Sequence, residues 1–467
     1  MERSMKKNAF NLTFLAMLIF SFYSFAYLVI NVHNIEEGYK SLYLLPLSLI
    51  IIMIPTFFYL YIGILENIFL TIYFIVSFFR YSLLPYLIAK YNIYSGFSSV
   101  SPKQVSVELA IKLMSYELVI TSLVIIFIVK VIINKSAPAK GKVIITTRNN
   151  YIYYLFIGFS LILLVLFPEA RNFFSFVVKK QGTVHDQSSL IYLAVTMILV
   201  TAKNLLFVLI IGFFHRKYLI SNSKRYVILA VLITTTNIMV FYGENRADLL
   251  ITAISSLLLF GVLFKRYGKY LIILFLIMFP LLFSSLTEYR NYNGFSSTQE
   301  EGEKLANNIQ VYAGGPYNVA ISIEAKEYYA TSSETNFLYE FFRPFIGLNI
   351  LLKNSDYITS SEIFNYRIFY ENNVTQIIPI IGQGYYYFGF VFSPLISIIF
   401  ICISFLIYKI MKKEMSIISY YFLTISLIRL GFMMGHNSLI LINELSYNLL
   451  IIFVLIFLDK KIGGNKI

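Results

Sequence analysis

Residues 234–260 read TTTNIMVFYGENRADLLITAISSLLLF: two apolar runs with Glu244, Arg246 and Asp248 gathered in the gap between them. A plain turn between two apolar helices needs only polar residues. A gap carrying both signs of charge therefore raises two questions: what surrounds it, and which side of a membrane it faces. The chain around it has 467 residues, 58% of them hydrophobic and 13% charged, with a mean hydropathy of +0.73. A soluble domain carries about 25% charged residues. Apolar runs of roughly 20 residues recur, long enough to cross a hydrocarbon core about 30 Å thick. The composition is that of an all-α polytopic membrane protein.

Twelve spans follow from the hydropathy pattern, at 8–32, 41–63, 66–89, 105–133, 151–168, 188–213, 226–242, 248–264, 270–286, 380–410, 415–435 and 445–458. The net charge of +14 is spread between these runs rather than gathered in one patch, which reads as membrane topology and not as a nucleic-acid surface. Arg3, Lys6 and Lys7 precede the first span; Lys130, Lys135, Lys140, Lys142 and Arg148 surround the fourth-to-fifth connection. Arg216, Lys217, Lys224 and Arg225 follow the sixth span, and Lys265, Arg266 and Lys269 the eighth. Lys412 and Lys413 follow the tenth, Lys460, Lys461 and Lys466 the last. With alternating spans all of these share one side, and the positive-inside rule puts both termini in the cytoplasm. The basic start and long first run read as an uncleaved span. Cys402 is the single cysteine, so no intrachain disulfide forms.

This topology divides the chain into spans one to nine (1–286), a large extracytoplasmic loop (287–375) and the last three spans (376–467). The gap at 243–248 falls on the outer side with that loop. Within the loop lie an acidic patch, a Gly-Gly-Pro break at 314–316, an expected helical stretch from Tyr317 to about Lys353, and many tyrosines. Tyrosine offers an apolar face and a hydroxyl together, which suits either a sugar ring or an interfacial aromatic belt.

Charges inside spans are costly, at least about 2.5 kcal/mol at a helix centre, and usually face a cavity or a partner. Arg80, Glu117, Lys203 and Arg429 are such charges. Arg80 lies roughly 13 Å in from the outer end of its span and Arg429 roughly 10 Å in from His436. Arg246 sits at the outer rim. Either the three arginines meet at one anionic ligand with a lipid tail, since arginine suits phosphate, or Arg80 or Lys203 pairs with Glu117 to pin two helices. Arg246 has its own bland alternative in Glu244 and Asp248. His436 shares a helical face with Arg429 and is either a general base or a capping residue. No P-loop, dinucleotide fingerprint, zinc-ligand spacing or nucleophile elbow is present, so no metal site and no cofactor is expected. Glu36 and Glu37 form an acidic pair in the first outer loop, solvated or metal-binding.

Three stretches resemble one family, the bacterial O-antigen and capsule repeat-unit polymerases of the Wzy type. GENRADLL at 243–250 is similar to a glycine, arginine and leucine stretch at an outer helix junction there. GQGYYYFGFVFSPLI at 382–396 resembles the family's Gly, Tyr and Phe-Gly pattern at the start of a late span. GHNSLILINEL at 435–445 resembles the His-Asn pattern of the wider polymerase and O-antigen ligase superfamily, although in the ligases it lies in the long loop and here it follows the eleventh span.

The resemblance implies an architecture like that of the GT-C glycosyltransferases in a bacterial cytoplasmic membrane. It implies substrates that are polyprenyl-diphosphate-linked oligosaccharides, and a chain-length regulator among possible partners beside membrane lipid. It gives Arg246 and His436 catalytic roles. Arg80, Glu244, Asp248, Arg290, Arg343 and Arg429 would then bind substrate. The alternatives are a flippase for the same lipid-linked units, for which mid-span Lys203 speaks, and a metal-dependent polyprenyl-phosphate glycosyltransferase using Glu36 and Glu37.

Overall fold

The computed structural model describes residues 2–94, 100–133, 143–144, 151–176, 190–242, 246–273, 301–329, 335–345, 347–352, 356–369, 376–412 and 415–462. The first helices are α1 (Glu2–Ile30), α2 (Leu44–Glu66), α3 (Ile68–Tyr91) and α4 (Gln104–Ile128). Next come α5 (Tyr151–Leu166), α6 (Leu190–Ser221), α7 (Lys224–Met239) and α8 (Arg246–Leu263). The long loop contributes α9 (Glu301–Ala313), α10 (Pro316–Tyr329), α11 (Phe337–Phe342), α12 (Leu348–Leu352) and α13 (Ser360–Phe369). The chain ends with α14 (Ile380–Phe392), α15 (Leu395–Met411), α16 (Ile417–Gly431) and α17 (Ser438–Ile462). Four two- or three-residue strands make two small pairs: Val143–Ile144 parallel to Met415–Ser416, and Phe174–Phe176 antiparallel to Val240–Tyr242.

The chain is a helical, multi-pass membrane protein. Among the described residues six helices are long and apolar enough to cross a bilayer, and a seventh is added if the pair α14–α15 counts as one span. Three more, Tyr151–Leu166, Asp248–Leu263 and Ile417–Gly431, are apolar but shorter. The number of full-length spans seen is thus smaller than the twelve expected from hydropathy; most of the expected 270–286 span lies outside the described residues. The physical reason is local. Hydropathy counts every apolar residue toward a span, whereas the folded chain gives some to other conformations. Val240–Tyr242 leaves the helix for a strand. The 380–410 run bends by 107°. Met433–Gly435 tightens into a 3-10 turn.

Two compact units divide the chain. The first joins residues 1–139, 298–409 and 429–444; the second joins 140–297, 410–428 and 445–467. In the first unit α1 to α4 pack around buried Tyr39, Leu42, Phe69, Tyr73 and Ile111. Two polar contacts join them, which offsets the cost of burying those groups: Ser24 Oγ donates to the Ser82 carbonyl at 2.8 Å, and Tyr73 OH meets Thr121 Oγ1 at 2.7 Å.

The expected single helix from Tyr317 to Lys353 is instead several short pieces, with α10 ending at Tyr329. Helices α9 and α10 form a hairpin broken at Gly314-Gly315, where Gly314 has φ +65°, a conformation that favours glycine. The tip lies deep in the unit. Gly314 sits 2.8 Å (as its Cβ would) from the Met434 carbonyl, and a Cβ on Gly435 would lie 1.9 Å from the Tyr312 carbonyl.

The bend between α14 and α15 follows from Gly389 (φ +74°) and Pro394. It returns the chain so closely that a Cβ on Gly384 would lie 1.9 Å from the Ser393 carbonyl. In the second unit, α7, α8 and α16 meet at a small polar node: Asn237 Nδ2 donates to Ser256 Oγ at 2.9 Å and to Tyr421 OH at 3.2 Å.

Gly384→Ala is expected to lower stability by about 1–3 kcal/mol through overpacking. Gly158→Ala, on a helix position with open space, is expected to leave stability unchanged or raise it by up to about 1 kcal/mol. Thermal unfolding of the two purified variants in one detergent compares them directly.

Candidate functional site

Helix α3 carries Arg80 on a π turn, Phe79–Leu83, in which the Leu84 N–H reaches back to the Phe79 carbonyl. Proline 85 explains the widening, because it has no N–H to offer the Tyr81 carbonyl one turn earlier. Arg80 is fully buried, 12 residues from the start of its 24-residue span, which is about 18 Å at 1.5 Å per residue. Its Nη1 donates to Glu117 Oε2 at 2.9 Å and its Nε to the Gly314 carbonyl at 3.0 Å. Ser397 Oγ donates to the other Glu117 oxygen at 3.0 Å, and the guanidinium stands 5.3 Å from the Tyr81 ring centroid. Four segments, α3, α4, the hairpin tip and α15, are thereby tied at mid-span. Of the two pairings open from sequence, Arg80 is the partner of Glu117. Lys203 is not: in the second unit its Nζ donates to the Val240 carbonyl at 2.6 Å, and Asp248 acts on its charge.

The hairpin tip continues into the turn 433–438. Gly431 rests on α3, where a Cβ would lie 2.6 Å from Ile72 Cβ. Arg429 Nη2 meets Glu444 Oε2 at 3.2 Å. Arg80 and Arg429 thus flank one turn, each with a carboxylate at hand. His436 is buried, with Nδ1 at 2.9 Å from the Phe432 carbonyl. A carbonyl only accepts, so Nδ1 is the donor in this bond.

Asn437 Nδ2 donates to Ser361 Oγ at 2.8 Å, and the Ser438 N–H donates to Gln383 Oε1 at 2.8 Å. Gln383 Nε2 in turn donates to Glu340 Oε1 at 2.6 Å. Glu340 also accepts from the Ser360 N–H at 2.7 Å, from Ser360 Oγ at 2.8 Å and from Tyr387 OH. This buried carboxylate therefore joins α11, α13 and α14 to the start of α17. Burial pushes its carboxyl above the usual carboxylate range, outweighing the four donors that favour the ion.

Sequence reasoning missed Glu340, Gln383 and Ser397. Glu340 stands in FLYEFF and Gln383 in IIGQGYYY, each a single polar residue in an apolar run, and that isolation was the available signal. The remaining expected residues lie on other elements. Arg246 opens α8 and Asp248 lies half-buried in its first turn, where a carboxylate complements the helix dipole. The Arg246 side chain, Glu244 and Arg290 lie outside the described residues. Arg343 caps α11 at the C-terminal end, 5.5 Å from the Tyr339 ring centroid. Glu36 and Glu37 are exposed, with Lys40 Nζ 2.5 Å from Glu37 Oε1. Among the described residues no three His, Cys, Asp or Glu side chains are gathered as a metal ion would need. No protein-family model, curated protein or solved structure matches the chain.

Two measurements probe these nodes. Arg80→Met strands Glu117 in an apolar interior and should cost about 3–5 kcal/mol, much of it regained in Arg80→Met/Glu117→Met; a double variant as unstable as the single one would deny the pair this role. For Glu340 the folded carboxyl holds its proton more tightly than the unfolded one. Its stabilisation is complete below the ordinary value of about 4.3 and is lost as pH rises through the raised folded value. Protection of the Ser360 amide from hydrogen exchange, corrected for intrinsic rate, should fall over that window, and Glu340→Gln should flatten the fall.

Proposed function

We propose that the chain is a polysaccharide polymerase, a metal-independent glycosyltransferase that joins polyprenyl-diphosphate-linked oligosaccharide units at the outer face of a bacterial cytoplasmic membrane. The observation that carries this reading is a set of contacts between stretches far apart in sequence. GQGYYYFGF and GHNS, two of the three stretches that resemble the polymerases, are bonded through Gln383 Oε1 and the Ser438 N–H. Both are bonded to the long loop between late spans, through Glu340 and Ser361. In this reading the chain has twelve spans, some completed by non-helical segments, with both termini in the cytoplasm.

The reaction moves a growing glycan from its lipid carrier onto a sugar hydroxyl of the next unit. The acceptor oxygen attacks the anomeric carbon, its proton passes to a base, and the polyprenyl diphosphate leaves with the bonding pair. Charge builds on the diphosphate as that bond breaks, so fixed cations beside it lower the barrier. Arg246, at a helix N-terminus, supplies the first such charge, reinforced by the helix dipole. Glu244 or Asp248 orients Arg246 or contacts sugar. Arg290 and Arg343 serve the diphosphate of the second lipid-linked substrate. His436 is the base. Arg80 and Arg429, each beside a carboxylate, act as the floor that holds α3, α10, α16 and α17 in place. A separate chain-length regulator would act on this machinery from outside.

A flippase for the same units is the second reading. It draws on the hairpin tip at Gly314, which touches Arg80 at mid-span, the depth at which broken helices of transporters bind substrate.

Purified protein given one lipid-linked repeat unit should yield a ladder of polymers without added divalent cation. Arg246→Ala should cut that yield by about 10²–10³-fold, the usual cost of one oxyanion-stabilising donor, while the single unit accumulates and protein level holds. Wild-type ladders from Arg246→Ala would remove that residue from the mechanism. Translocation of the unit across vesicles without polymer would favour the flippase.

A further inference from the structure

In the loop helix α11 the polarity runs opposite to that of a water-exposed segment. Its one carboxylate, Glu340, is 0% exposed, while Leu338 is 62% exposed. Phe342, one turn on, also faces outward, and Leu351 on α12 is 77% exposed. A helix that lay in water would turn these faces round, because burying a carboxylate costs free energy and exposing leucine and phenylalanine forfeits burial. The inward placement of Glu340 is fixed by its four donors, so the outward apolar face cannot be a chance rotation of the helix.

The neighbouring segment has the same character. Val391 and Phe392, at the α14–α15 bend, are each 64% exposed. Helix α11 is packed onto that bend: the Phe337 ring lies 4.8 Å from that of Phe388, and the Phe341 ring 6.5 Å from that of Phe400 on α15. Below the bend α15 continues the apolar surface with exposed Leu406 and Ile410. Helix α14 is turned 107° from α15, and the bend lies at the depth of the Arg80–Glu117 pair, since Ser397 bonds Glu117 and Tyr116 OH donates to the Val391 carbonyl at 3.1 Å. The outward face of α11 and α12 is therefore continuous with the lipid-facing surface of α15.

We propose that α11, α12 and the α14–α15 bend are seated within the bilayer, with Leu338, Phe342, Leu351, Val391 and Phe392 among acyl chains. Arg343, half-buried and stacked by Tyr339, stands at the edge of this face, where an arginine reaches lipid phosphate while its stem stays in hydrocarbon. The partner is the phospholipid monolayer itself. Part of the long loop is then a membrane-embedded platform rather than an aqueous domain, whatever chemistry the chain performs.

The single cysteine makes the test direct. In a Cys402→Ser background, Leu338→Cys, Leu351→Cys and Val391→Cys would each carry a bimane label, with Glu327→Cys as an exposed polar reference. The full chain goes into phosphatidylcholine nanodiscs. The expected result is blue-shifted emission at the three apolar sites, quenched by spin-labelled lipid and insensitive to aqueous iodide, with the opposite pattern at Glu327→Cys. A label at Arg343→Cys should be quenched more by a spin label near the headgroup than by one deep in the chain. Iodide quenching of the three sites equal to that of Glu327→Cys would overturn the proposal. So would protection from both quenchers with crosslinks between copies at Val391→Cys, which would give the face to a second copy of the chain.

Discussion

The first unit is organised around one buried ion pair. Arg80 and Glu117 meet near the middle of two long spans, with no solvent to share the charge. A carboxylate and a guanidinium at that depth are tolerable only together, and bonds to their remaining groups lower the cost further. The structure supplies those bonds from distant segments: the Gly314 carbonyl from the hairpin tip, Ser397 from α15 and the Tyr81 ring alongside. The pair thus selects where α9–α10 must end and how α15 must sit. An apolar contact would not impose such a position, because apolar surfaces slide with small penalty and hydrogen bonds do not.

A second polar node does a different task. Glu340 gathers donors from the loop and from α14, and Gln383 passes the connection to the start of α17. His436 and Asn437 lie in the turn between the two nodes, so the floor fixes the turn from one side and the loop fixes it from the other. Such a doubly held turn is rigid, which is what a site needs if a base must face its substrate at a set angle. In the second node each named donor meets an acceptor, whereas in the first Arg80 Nη2 is buried without a hydrogen-bond partner among the described residues.

What could be read from the sequence follows from what each signal measures. Hydropathy reveals membrane character and where the long helices lie, because it reports transfer of side chains out of water. It cannot show that Gly389 folds one apolar run back on itself or that Val240–Tyr242 forms a strand, since these depend on backbone geometry and on a partner far along the chain. The Gly-Gly-Pro break at 314–316 was legible as a break, but the surrounding ANNIQVYA and YNVAISIEA segments are too polar to be recognised as the interior of a bundle. The intramembrane charges were legible one by one. Which of them pair was not, because Arg80 had two conceivable uses and only coordinates distinguish them. Glu340 stayed hidden, as a lone acid in an aromatic run carries no periodic signal.

The Arg80–Gly314 bond has a consequence for how the chain is made. The two residues are 234 positions apart, and at about 5–20 residues per second ribosomes need roughly 10–50 s to cover that distance. Glu117, only 37 positions from Arg80, is delivered within seconds. During synthesis the charge pair must therefore enter the lipid as a self-neutralised α3–α4 unit, with one guanidinium donor still waiting for its carbonyl. The order of translation makes the ion pair the founding contact of the unit and the glycine hairpin its late-arriving keystone.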